Sequence, residues 1–373
     1  MNRYAIAKPI IGRAEAEAVL RVLKSGTLAL GPELKAFEQE FARTIGTRHA
    51  VAVSSGTAGL HLALLAAGIG PGDEVITSPF SFIASANAIL YVGATPVFVD
   101  VDPVTFNLDP QKVAAAVTPR TKAILPVHIF GQAADMTAVM QVAQTHGLVV
   151  VEDACESVLA THAGKRVGAF GQSAVFAFYP NKQMTTGEGG MVVTNDDRVA
   201  ETCRSLANQG RVPNLQWLDH QVLGYNYRMD EMSAAIGRVQ LRRLPALIAA
   251  RQRVAAWYDA EIARQLPQVR MMRTATGNTH TYFVYVVQTP AVGAKRDDLI
   301  RRLDADGVQT KPYLPCIHLF SFYRDRFGFK TGDFPIAERV SEASIALPFY
   351  PTLTQQDVSV IVNRLMKALQ SYA

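Results

Sequence analysis

The chain has 373 residues, of which 49% are hydrophobic and 18% are charged, and its net charge is +5. This composition is typical of a globular protein that is long enough for a large core and about two domains. The positive charge is modest and spread along the sequence, without a basic run interleaved with aromatic residues, which argues against a nucleic-acid-binding protein.

The sequence also gives no sign of membrane insertion or of secretion. No apolar run is long enough to cross a bilayer, and the first residues lack the apolar core and cleavage site of a signal peptide. Cys155, Cys203 and Cys316 have no metal-ligand spacing, and their small odd number suits a reducing compartment better than a disulfide framework. We therefore expect a cytoplasmic protein with no bound metal.

Strand-like and helix-like segments alternate between residues 50 and 195, after helical segments over residues 13 to 45 that are broken by "SGTLALGPE". The strand-like segments are "HAVAVSS", "DEVITSP", "TPVFVDVD", "TKAILPVHIFG", "LVVVEDA", "SAVFAFY" and "GGMVVTN". Most of them are continuous apolar runs, as in strands that are covered on both faces. The pattern predicts an α/β fold whose large domain contains a mainly parallel seven-stranded sheet.

The pattern changes after residue 195. A long helical stretch begins at "MDEMSAAIG", is not expected to end before Leu266, and is long enough to bridge two domains. The segments "HTYFVYVVQT", "RDDLIRRLDADGV" and "TQQDVSVIVNRLMKALQSY" are typical of a smaller α+β domain. We predict a large domain over residues 13–240 and a small C-terminal domain over residues 241–373, with residues 1–12 packing against the small one.

Ligands of open α/β sheets bind at the carboxyl ends of the strands, so the residues that follow each strand are candidates for a site. Gly56 and Thr57 follow the first strand within "SSGT", where free helix N–H groups suit a phosphate. An ordinary helix N-cap explains the same residues more simply. Phe82 follows the second strand, where its ring can stack on a flat heteroaromatic ligand or belong to the core.

Charged residues follow two later strands. Glu152 and Asp153 come after four apolar residues, so we expect one of them to be solvated and the other, Asp153, to be partly buried beside a cation. A protonated ring nitrogen is such a cation, and capping of the next helix is an equally weighted alternative. Lys182 lies between "FAFYPN" and a Gly-rich turn, where partial shielding from water makes an amine a usable nucleophile; the alternative is a solvated turn lysine.

Each of these signals is weak, but their order matches the parts of pyridoxal 5'-phosphate. A helix N-terminus suits its phosphate, an aromatic ring suits its pyridine ring, a carboxylate suits its ring nitrogen and a lysine suits its aldehyde. The sequence therefore predicts a site for this cofactor at the carboxyl edge of the sheet.

Longer motifs show a resemblance over essentially the whole chain. They are "LHLAL", "GPGDEVI", "ATPVFVDVDPVTFNLD", "VHIFGQ", "VEDACES", "NKQMTTGEGGM" and "GYNYRMDEMSAAIG". In this order they resemble the DegT/DnrJ/EryC1/StrS family of sugar aminotransferases, which have the aspartate-aminotransferase fold, fold type I. The resemblance implies pyridoxal 5'-phosphate as cofactor and a homodimer whose active sites are shared between the subunits.

The resemblance also implies roles for individual residues. Lys182 forms the Schiff base, Asp153 pairs with the pyridine nitrogen, and Glu156 lies near the cofactor ring. The other implied contacts are Phe82 at the ring, Gly56 and Thr57 at the phosphate, and Asn226 and Arg228 at the phosphate of the neighbouring subunit. Ala177 departs from the family, which commonly has a serine there, so a phosphate contact worth about 1 kcal/mol is missing.

Lysine at position 182 implies transamination, because relatives that use the cofactor for dehydration carry histidine there. We expect L-glutamate as the amino donor and a nucleotide-linked keto-sugar as the acceptor, most simply a 4-keto-6-deoxyhexose in amino-sugar or surface-polysaccharide biosynthesis. Lys311 and His318 are the candidates for acceptor contacts, with surface charge and turn structure as the alternative. The other readings are a cyclitol or 3-keto-sugar aminotransferase, a pyridoxal-phosphate-dependent sugar dehydratase, and a non-catalytic sensor, for which the chain has no spare module.

Overall fold

The computed structural model describes residues 3–211 and 219–370. The strands are β1 (His49–Val53), β2 (Glu74–Thr77), β3 (Thr95–Phe98), β4 (Thr121–Ile124), β5 (Val149–Asp153), β6 (Thr161–His162), β7 (Lys165–Arg166), β8 (Ser173–Ala177), β9 (Gly190–Thr194), β10 (Arg270–Met271), β11 (Asn278–Thr279), β12 (Tyr285–Gln288), β13 (Lys311–Pro312) and β14 (Ser344–Leu347). The helices are α1 (Arg13–Ser25), α2 (Pro32–Ile45), α3 (Gly56–Ala66), α4 (Ala84–Tyr91), α5 (Pro110–Ala115), α6 (Met136–His146), α7 (Asp197–Ala207), α8 (Glu231–Gln265), α9 (Ala294–Ala305), α10 (Ser321–Phe327), α11 (Pro335–Ala343) and α12 (Gln355–Gln370). Within these ranges, no helix has the length and apolar character needed to span a membrane.

Seven strands form the central sheet in the order β1-β9-β8-β5-β4-β2-β3. Neighbouring strands are parallel except at β9, which is antiparallel to both β1 and β8. The prediction of a mainly parallel seven-stranded sheet is therefore confirmed. The strand predicted from "TKAILPVHIFG" is too long, because β4 ends at Ile124 and Pro126 has no N–H group to continue the ladder.

Helices cover both faces of this sheet, and β1 shows why. Val51 and Val53 pack with the apolar residues of α3, whereas Ala50 and Ala52 pack with Phe37 and other residues of α2 and α8. Successive side chains of a strand point to opposite faces, so an apolar residue at every position requires a core on each side. This two-sided burial leaves the strand ends as the accessible edge of the sheet.

The 35-residue helix α8 leads from the central sheet to the C-terminal part, and it ends at Gln265 with Leu266 as its C-cap, one residue before the predicted limit. Beyond it, the antiparallel sheet β10-β12-β14-β13 packs with α9 and α12. Tyr4 pairs with Val308 in this part. The predicted domain boundary at residue 240 falls inside α8 and stays a prediction, and residues 1, 2, 212–218 and 371–373 of that division lie outside the described ranges.

Candidate active site

The carboxyl ends of several strands of the central sheet open into one cavity of about 410 Å³, which is within the range of ~300–1,000 Å³ that small-molecule sites occupy. The predicted residues that line it are Gly56, Thr57, Phe82, Asp153, Glu156 and Lys182. The lining also includes Ser55, Ser85, Cys155, Ala177, Tyr179, Asn181, Glu188, Phe283, Tyr313 and Leu314. Residues that are far apart in the sequence therefore meet at the edge where the parallel strands end.

Lys182 follows β8 in an irregular turn, and its side chain is only 13% exposed. Its Nζ lies 3.5 Å from Glu156 Oε1 and 3.9 Å from the centre of the Phe283 ring. The carboxylate and the face of the ring both attract a cation, and the Lys182 N–H donates to the Tyr179 carbonyl at the start of the turn. The amine is therefore held inside the cavity, and a solvated turn lysine does not describe it.

Asp153 ends β5 and is 5% exposed. Its Oδ2 accepts a hydrogen bond of 2.7 Å from Ser85 Oγ, and its Oδ1 accepts one of 3.1 Å from the Cys155 N–H. Ser85 Oγ in turn lies 2.8 Å from Ser81 Oγ. A carboxylate offers about four acceptor positions, so these bonds fix its orientation while leaving positions for a cationic donor in the cavity.

The neighbouring carboxylate, Glu152, corrects the prediction that one of the two acids is solvated, because it is fully buried. It accepts hydrogen bonds of 2.8 Å from three N–H groups of the turn at residues 168–171, and His128 Nε2 lies 3.0 Å from its Oε2. His128 Nδ1 accepts from the Ala134 N–H, which assigns the ring proton to Nε2. Burial alone would raise the pKa of Glu152, but these hydrogen bonds outweigh it and lower the pKa.

Glu156 lies beside the amine of Lys182 in the lining of the cavity. Burial raises the pKa of Glu156, while the Lys182 amine and the Phe130 N–H, which donates to Oε2 at 2.9 Å, oppose the rise. A buried carboxyl group with a raised pKa can exchange a proton with an adjacent amine.

The first turn of α3 presents backbone N–H groups to the cavity. Ser55 is an ordinary N-cap, because its Oγ accepts from the Ala58 N–H at 3.0 Å. Gly56 and Thr57 come before Ala58 in the first turn of the helix, where N–H groups have no intrahelical acceptor, so their N–H groups are available to an anion. A Cβ at position 56 would lie 2.7 Å from the Cβ of Ala177, so the close approach of β8 requires glycine here.

Phe82 is 61% exposed and lines the cavity, whereas Phe80, two residues earlier, is fully buried. Of the two readings that the sequence left open, core packing therefore describes Phe80 and does not describe Phe82. Tyr179 is a second cavity aromatic with an open face, since it is 51% exposed. Both rings are accessible to a ligand or to a second chain.

Asn226 and Arg228 do not line the cavity of their own chain. Asn226 pairs with Asn208 and Arg228 pairs with Val53 through isolated β-bridges. Arg228 Nη1 also donates to Asn208 Oδ1 at 2.9 Å. Their contact with the phosphate of a neighbouring subunit stays a prediction.

The structure also places Lys311 and His318 outside this cavity. Lys311 is exposed on β13, and His318 is fully buried with its Nε2 3.0 Å from Glu338 Oε1. Burial lowers the pKa of His318, although the hydrogen bond that His318 Nε2 donates to the Glu338 carboxylate opposes the change. Their role on the acceptor side stays a prediction.

Sequence reasoning missed one side of the cavity, which we call the aromatic wall: Phe283, Tyr313 and Leu314. It faces what we call the polar wall: Asp153, Glu156 and Lys182. The Tyr313 ring centre lies 6.2 Å from that of Phe283, so the aromatic wall is a connected surface. Its only sequence signals are the aromatic residues in "HTYF" and "KPYLP", and neither segment indicates where it lies in space.

Comparison with known proteins gives consistent results over the whole chain. The DegT/DnrJ/EryC1/StrS aminotransferase family matches residues 9–366. The GDP-perosamine synthase of Caulobacter vibrioides is 42% identical over 99% of this chain and 99% of its own. Among solved structures, S. venezuelae DesV in complex with a ketimine intermediate is 40% identical, with a TM-score of 0.88 over 96% of this chain and 94% of DesV. The PLP-form of the putative sugar aminotransferase Spr1654 from Streptococcus pneumoniae is 26% identical, with a TM-score of 0.94 over 100% of both chains.

The chain therefore belongs to the DegT/DnrJ/EryC1/StrS family of sugar aminotransferases. Its cofactor is pyridoxal 5'-phosphate, and its activity is that of an aminotransferase.

The residues present fit this cofactor. Gly56 and Thr57 offer N–H groups to a phosphate, Asp153 has acceptor positions for a protonated ring nitrogen, and Lys182 offers a shielded amine. Asn181 Oδ1 is a buried acceptor atom at the same cavity without a hydrogen-bond partner among the described residues, so the cavity also holds a polar position that a ligand can satisfy.

Proposed function

We propose that Lys182 is the lysine that carries the cofactor and that Asp153 keeps the ring nitrogen protonated, in an enzyme that transfers an amino group from L-glutamate to a nucleotide-linked keto-sugar. The observation that carries this proposal is that Lys182 and Asp153 line the same cavity although they are 29 positions apart in the sequence. Pyridoxal 5'-phosphate supplies an aldehyde that binds amines and a ring that accepts carbanion electrons.

Each residue of the polar wall has a task in this proposal. The Lys182 amine accepts the proton from the carbon atom of the donor that bears the amino group, and it later gives that proton up again. Glu156 Oε1 lies 3.5 Å from that amine and holds it in place. Its carboxyl group can also exchange a proton with the amine. The Asp153 carboxylate lies opposite the ring nitrogen, with Ser85 and the Cys155 N–H fixing its orientation.

The remaining cofactor contacts in the proposal come from the first turn of α3 and from Phe82. Gly56 and Thr57 bind the phosphate through their N–H groups, and the methyl group of Ala177 leaves this set without a serine hydroxyl. The exposed ring of Phe82 packs on the pyridine ring.

The proposed acceptor is a 4-keto-6-deoxyhexose linked to a nucleotide, used in amino-sugar or surface-polysaccharide biosynthesis. Its support is the 42% identity with a GDP-perosamine synthase and the 40% identity with the spore coat polysaccharide biosynthesis protein SpsC of Bacillus subtilis. The aromatic wall suits an acceptor with an apolar edge, because its side chains offer ring faces and methyl groups rather than charge.

The proposed assembly is a homodimer with shared sites, located in the cytoplasm. Asp153, Glu156 and Glu188 are acids, and Lys182 is the one basic side chain among the described residues that line the cavity. The cofactor phosphate and the two carboxylates of glutamate are anions, so binding needs further cations. In this proposal Arg228 of a second copy supplies such a cation and Asn226 of that copy adds a neutral amide donor, with Lys311 and His318 contacting the acceptor.

A half-reaction tests the donor and the acceptor together. Protein loaded with pyridoxal 5'-phosphate is mixed with L-glutamate alone, and its absorption spectrum is expected to change to that of pyridoxamine 5'-phosphate. A panel of keto-sugar nucleotides that differ in the nucleotide, in the keto carbon and at C6 is then added, together with a keto-cyclitol. Recovery of the first spectrum with a 4-keto-6-deoxyhexose nucleotide is expected. No change with glutamate would favour the dehydratase, and recovery only with a cyclitol or a 3-keto sugar would replace the proposed acceptor.

Mixing two inactive variants tests the shared site. Lys182→Ala removes the amine of one site, and Arg228→Ala removes the cation proposed to reach the neighbouring one. A mixed dimer would contain one intact site, so we expect activity to return to about a quarter of the wild-type value after subunit exchange. Absence of any recovery in a mixture shown to contain mixed dimers would contradict the shared site.

A further inference from the structure

Arg251 lies in α8 directly behind Lys182, and it binds backbone carbonyl groups. Its Nη2 donates to the Lys182 carbonyl at 3.1 Å, and its Nη1 donates to the Tyr282 and Phe283 carbonyls at 3.2 and 3.1 Å. The residue is only 4% exposed. Burial lowers the pKa of Arg251 to about 10, so the guanidinium keeps its charge at neutral pH.

The two segments that Arg251 joins meet again inside the cavity. There the Lys182 amine lies 3.9 Å from the centre of the Phe283 ring. Lys182 and Phe283 are thus connected through their backbones on one side, by the guanidinium, and through their side chains on the other. Together with the hydrogen bond from Gln183 Nε2 to Thr281 Oγ1 at 3.2 Å, this double connection holds the amine beside the aromatic wall.

Regular secondary structure does not provide this connection. Lys182 lies in the turn after β8 of the central sheet, and Phe283 precedes β12 of a different sheet. The planar guanidinium has donors on two separate nitrogens, so it can reach carbonyl groups of both segments at once. A lysine ammonium is a compact charge on a flexible stem and cannot reproduce that fork.

The arrangement is also costly, which argues that the charge has a purpose. Burial is the dominant influence on the Arg251 pKa, and its hydrogen bonds within the described ranges go to neutral carbonyl groups. Burying a cation without a carboxylate partner is unfavourable, and a neutral donor would join the same segments at lower cost. A fixed positive charge bound to the Lys182 carbonyl repels a second positive charge that forms nearby in the cavity.

We propose that Arg251 is a positioning residue that fastens the Lys182 turn to the aromatic wall and places a fixed positive charge behind the reactive amine. The inference rests on the proposed role of Lys182 as the residue that carries the cofactor. Arg251 itself does not line the cavity, so its effect on the reaction passes through Lys182.

Three variants distinguish three contributions of Arg251: the forked arrangement of its donors, its charge, and the general effect of losing an arginine from α8. Arg251→Lys keeps a charge and removes the fork, and Arg251→Met removes both. Arg253→Met is the matched control, because Arg253 is an exposed arginine on the same helix. Three quantities are measured for each: the pH midpoint of the absorbance change of the lysine-bound cofactor, the rate at which apoprotein takes up pyridoxal 5'-phosphate, and the melting temperature.

Arg251→Met is expected to raise the pH midpoint by about one unit, because a nearby positive charge is lost. Arg251→Lys is expected to keep the midpoint within about 0.3 units of the wild type. Both are expected to slow cofactor uptake about tenfold, because the amine is no longer held in place. Arg253→Met is expected to match the wild type in all three measurements.

A lower melting temperature with an unchanged midpoint and uptake rate in both Arg251 variants would make Arg251 merely structural and overturn the inference. If Arg251→Met does not fold, Arg251→Lys alone decides: cofactor uptake at the wild-type rate in Arg251→Lys would also overturn the inference. The proposed role of Lys182 is tested separately: a lysine-bound cofactor spectrum that persists in Lys182→Ala would remove the proposed function, whatever the Arg251 variants show.

Discussion

The polar wall and the aromatic wall face each other across one cavity, but they are built in different ways. Asp153 ends β5 and Lys182 follows the neighbouring strand β8 of the central sheet, and hydrogen bonds orient the Asp153 carboxylate before any ligand arrives. Phe283 and Tyr313 come from irregular segments of the C-terminal part. They are held by ring contacts, by the hydrogen bond from the Phe283 N–H to the Phe130 carbonyl, and by Arg251 at the Phe283 carbonyl. One wall is positioned by strands of a sheet, and the other by single contacts between irregular segments.

This difference assigns the two walls different tasks. Charged groups with fixed orientations stabilise charge that develops during a reaction, which is the larger contribution to catalysis. Ring faces and methyl groups exclude water and give shape, which affects binding and placement more than chemistry. We therefore expect substitutions in the polar wall to remove activity and substitutions in the aromatic wall to reduce it moderately.

The largest effect is expected from Lys182→Ala. Loss of the amine should lower the rate of the glutamate half-reaction by at least about 10⁴-fold, because both the attachment point and the proton carrier are lost. The rate is measured by stopped-flow absorbance on protein loaded with pyridoxal 5'-phosphate. Lys112→Ala, at an exposed position of α5, is the control and should keep the wild-type rate. A Lys182→Ala protein within tenfold of the wild type would show that the reactive amine is elsewhere.

The next largest effect is expected from Asp153, and its neighbour Glu152 should give a contrasting result, a loss of stability instead of a loss of rate. Asp153→Asn should lower the half-reaction rate by about 10²–10⁴-fold while changing stability little, because the amide cannot hold the ring nitrogen protonated. Glu152→Gln should instead destabilise the fold by about 1–3 kcal/mol, because an amide cannot accept from four donors. Urea unfolding and half-reaction rates of both variants make the comparison. The reverse pattern would mean that Glu152 is the acid of the active site.

A smaller effect is expected in the aromatic wall. Phe283→Leu keeps an apolar side chain but removes the ring face under the Lys182 amine, an interaction of about 0.5–2 kcal/mol. The half-reaction rate should fall by about 2- to 30-fold, with the cofactor still bound. Phe322→Leu, at a surface ring that is 51% exposed, is the control. A loss as large as that of Lys182→Ala would contradict the division of tasks between the walls.

The polar wall could be predicted from the sequence because its residues follow apolar strands, and parallel strands end at one edge. The central sheet was predictable for the same reason, since strand and helix patterns are local. Glu152 was misjudged because its donors belong to the 168–171 turn and to His128, which no local pattern connects with it. Phe283 and Arg251 were missed because their positions depend on contacts between distant segments.

His280 extends the contrast to the response of the two walls to acid. Its ring stacks on Tyr282 with centres 3.9 Å apart, and its Nδ1 accepts from the Tyr282 N–H at 2.9 Å, next to Phe283. Burial lowers the pKa of His280 to about 3. In an unfolded chain the value is about 6.5, so below that pH the unfolded state binds a proton that the folded state does not. The free energy of unfolding should therefore decrease as the pH is lowered from about 6.5 to about 3.

His280→Gln should remove up to about 1.4 kcal/mol per pH unit from this slope in the free energy of unfolding, measured by urea titration at pH 7, 6, 5 and 4.5. His146→Gln, at an exposed histidine of α6, should leave the slope unchanged. Glu156 responds in the opposite sense: burial raises its pKa, so its contribution to stability is present at low pH and is lost as pH rises through the folded pKa. Acid thus weakens the support of the aromatic wall while it relieves a buried charge in the polar wall. A wild-type slope in His280→Gln would show that the aromatic wall does not share in this response.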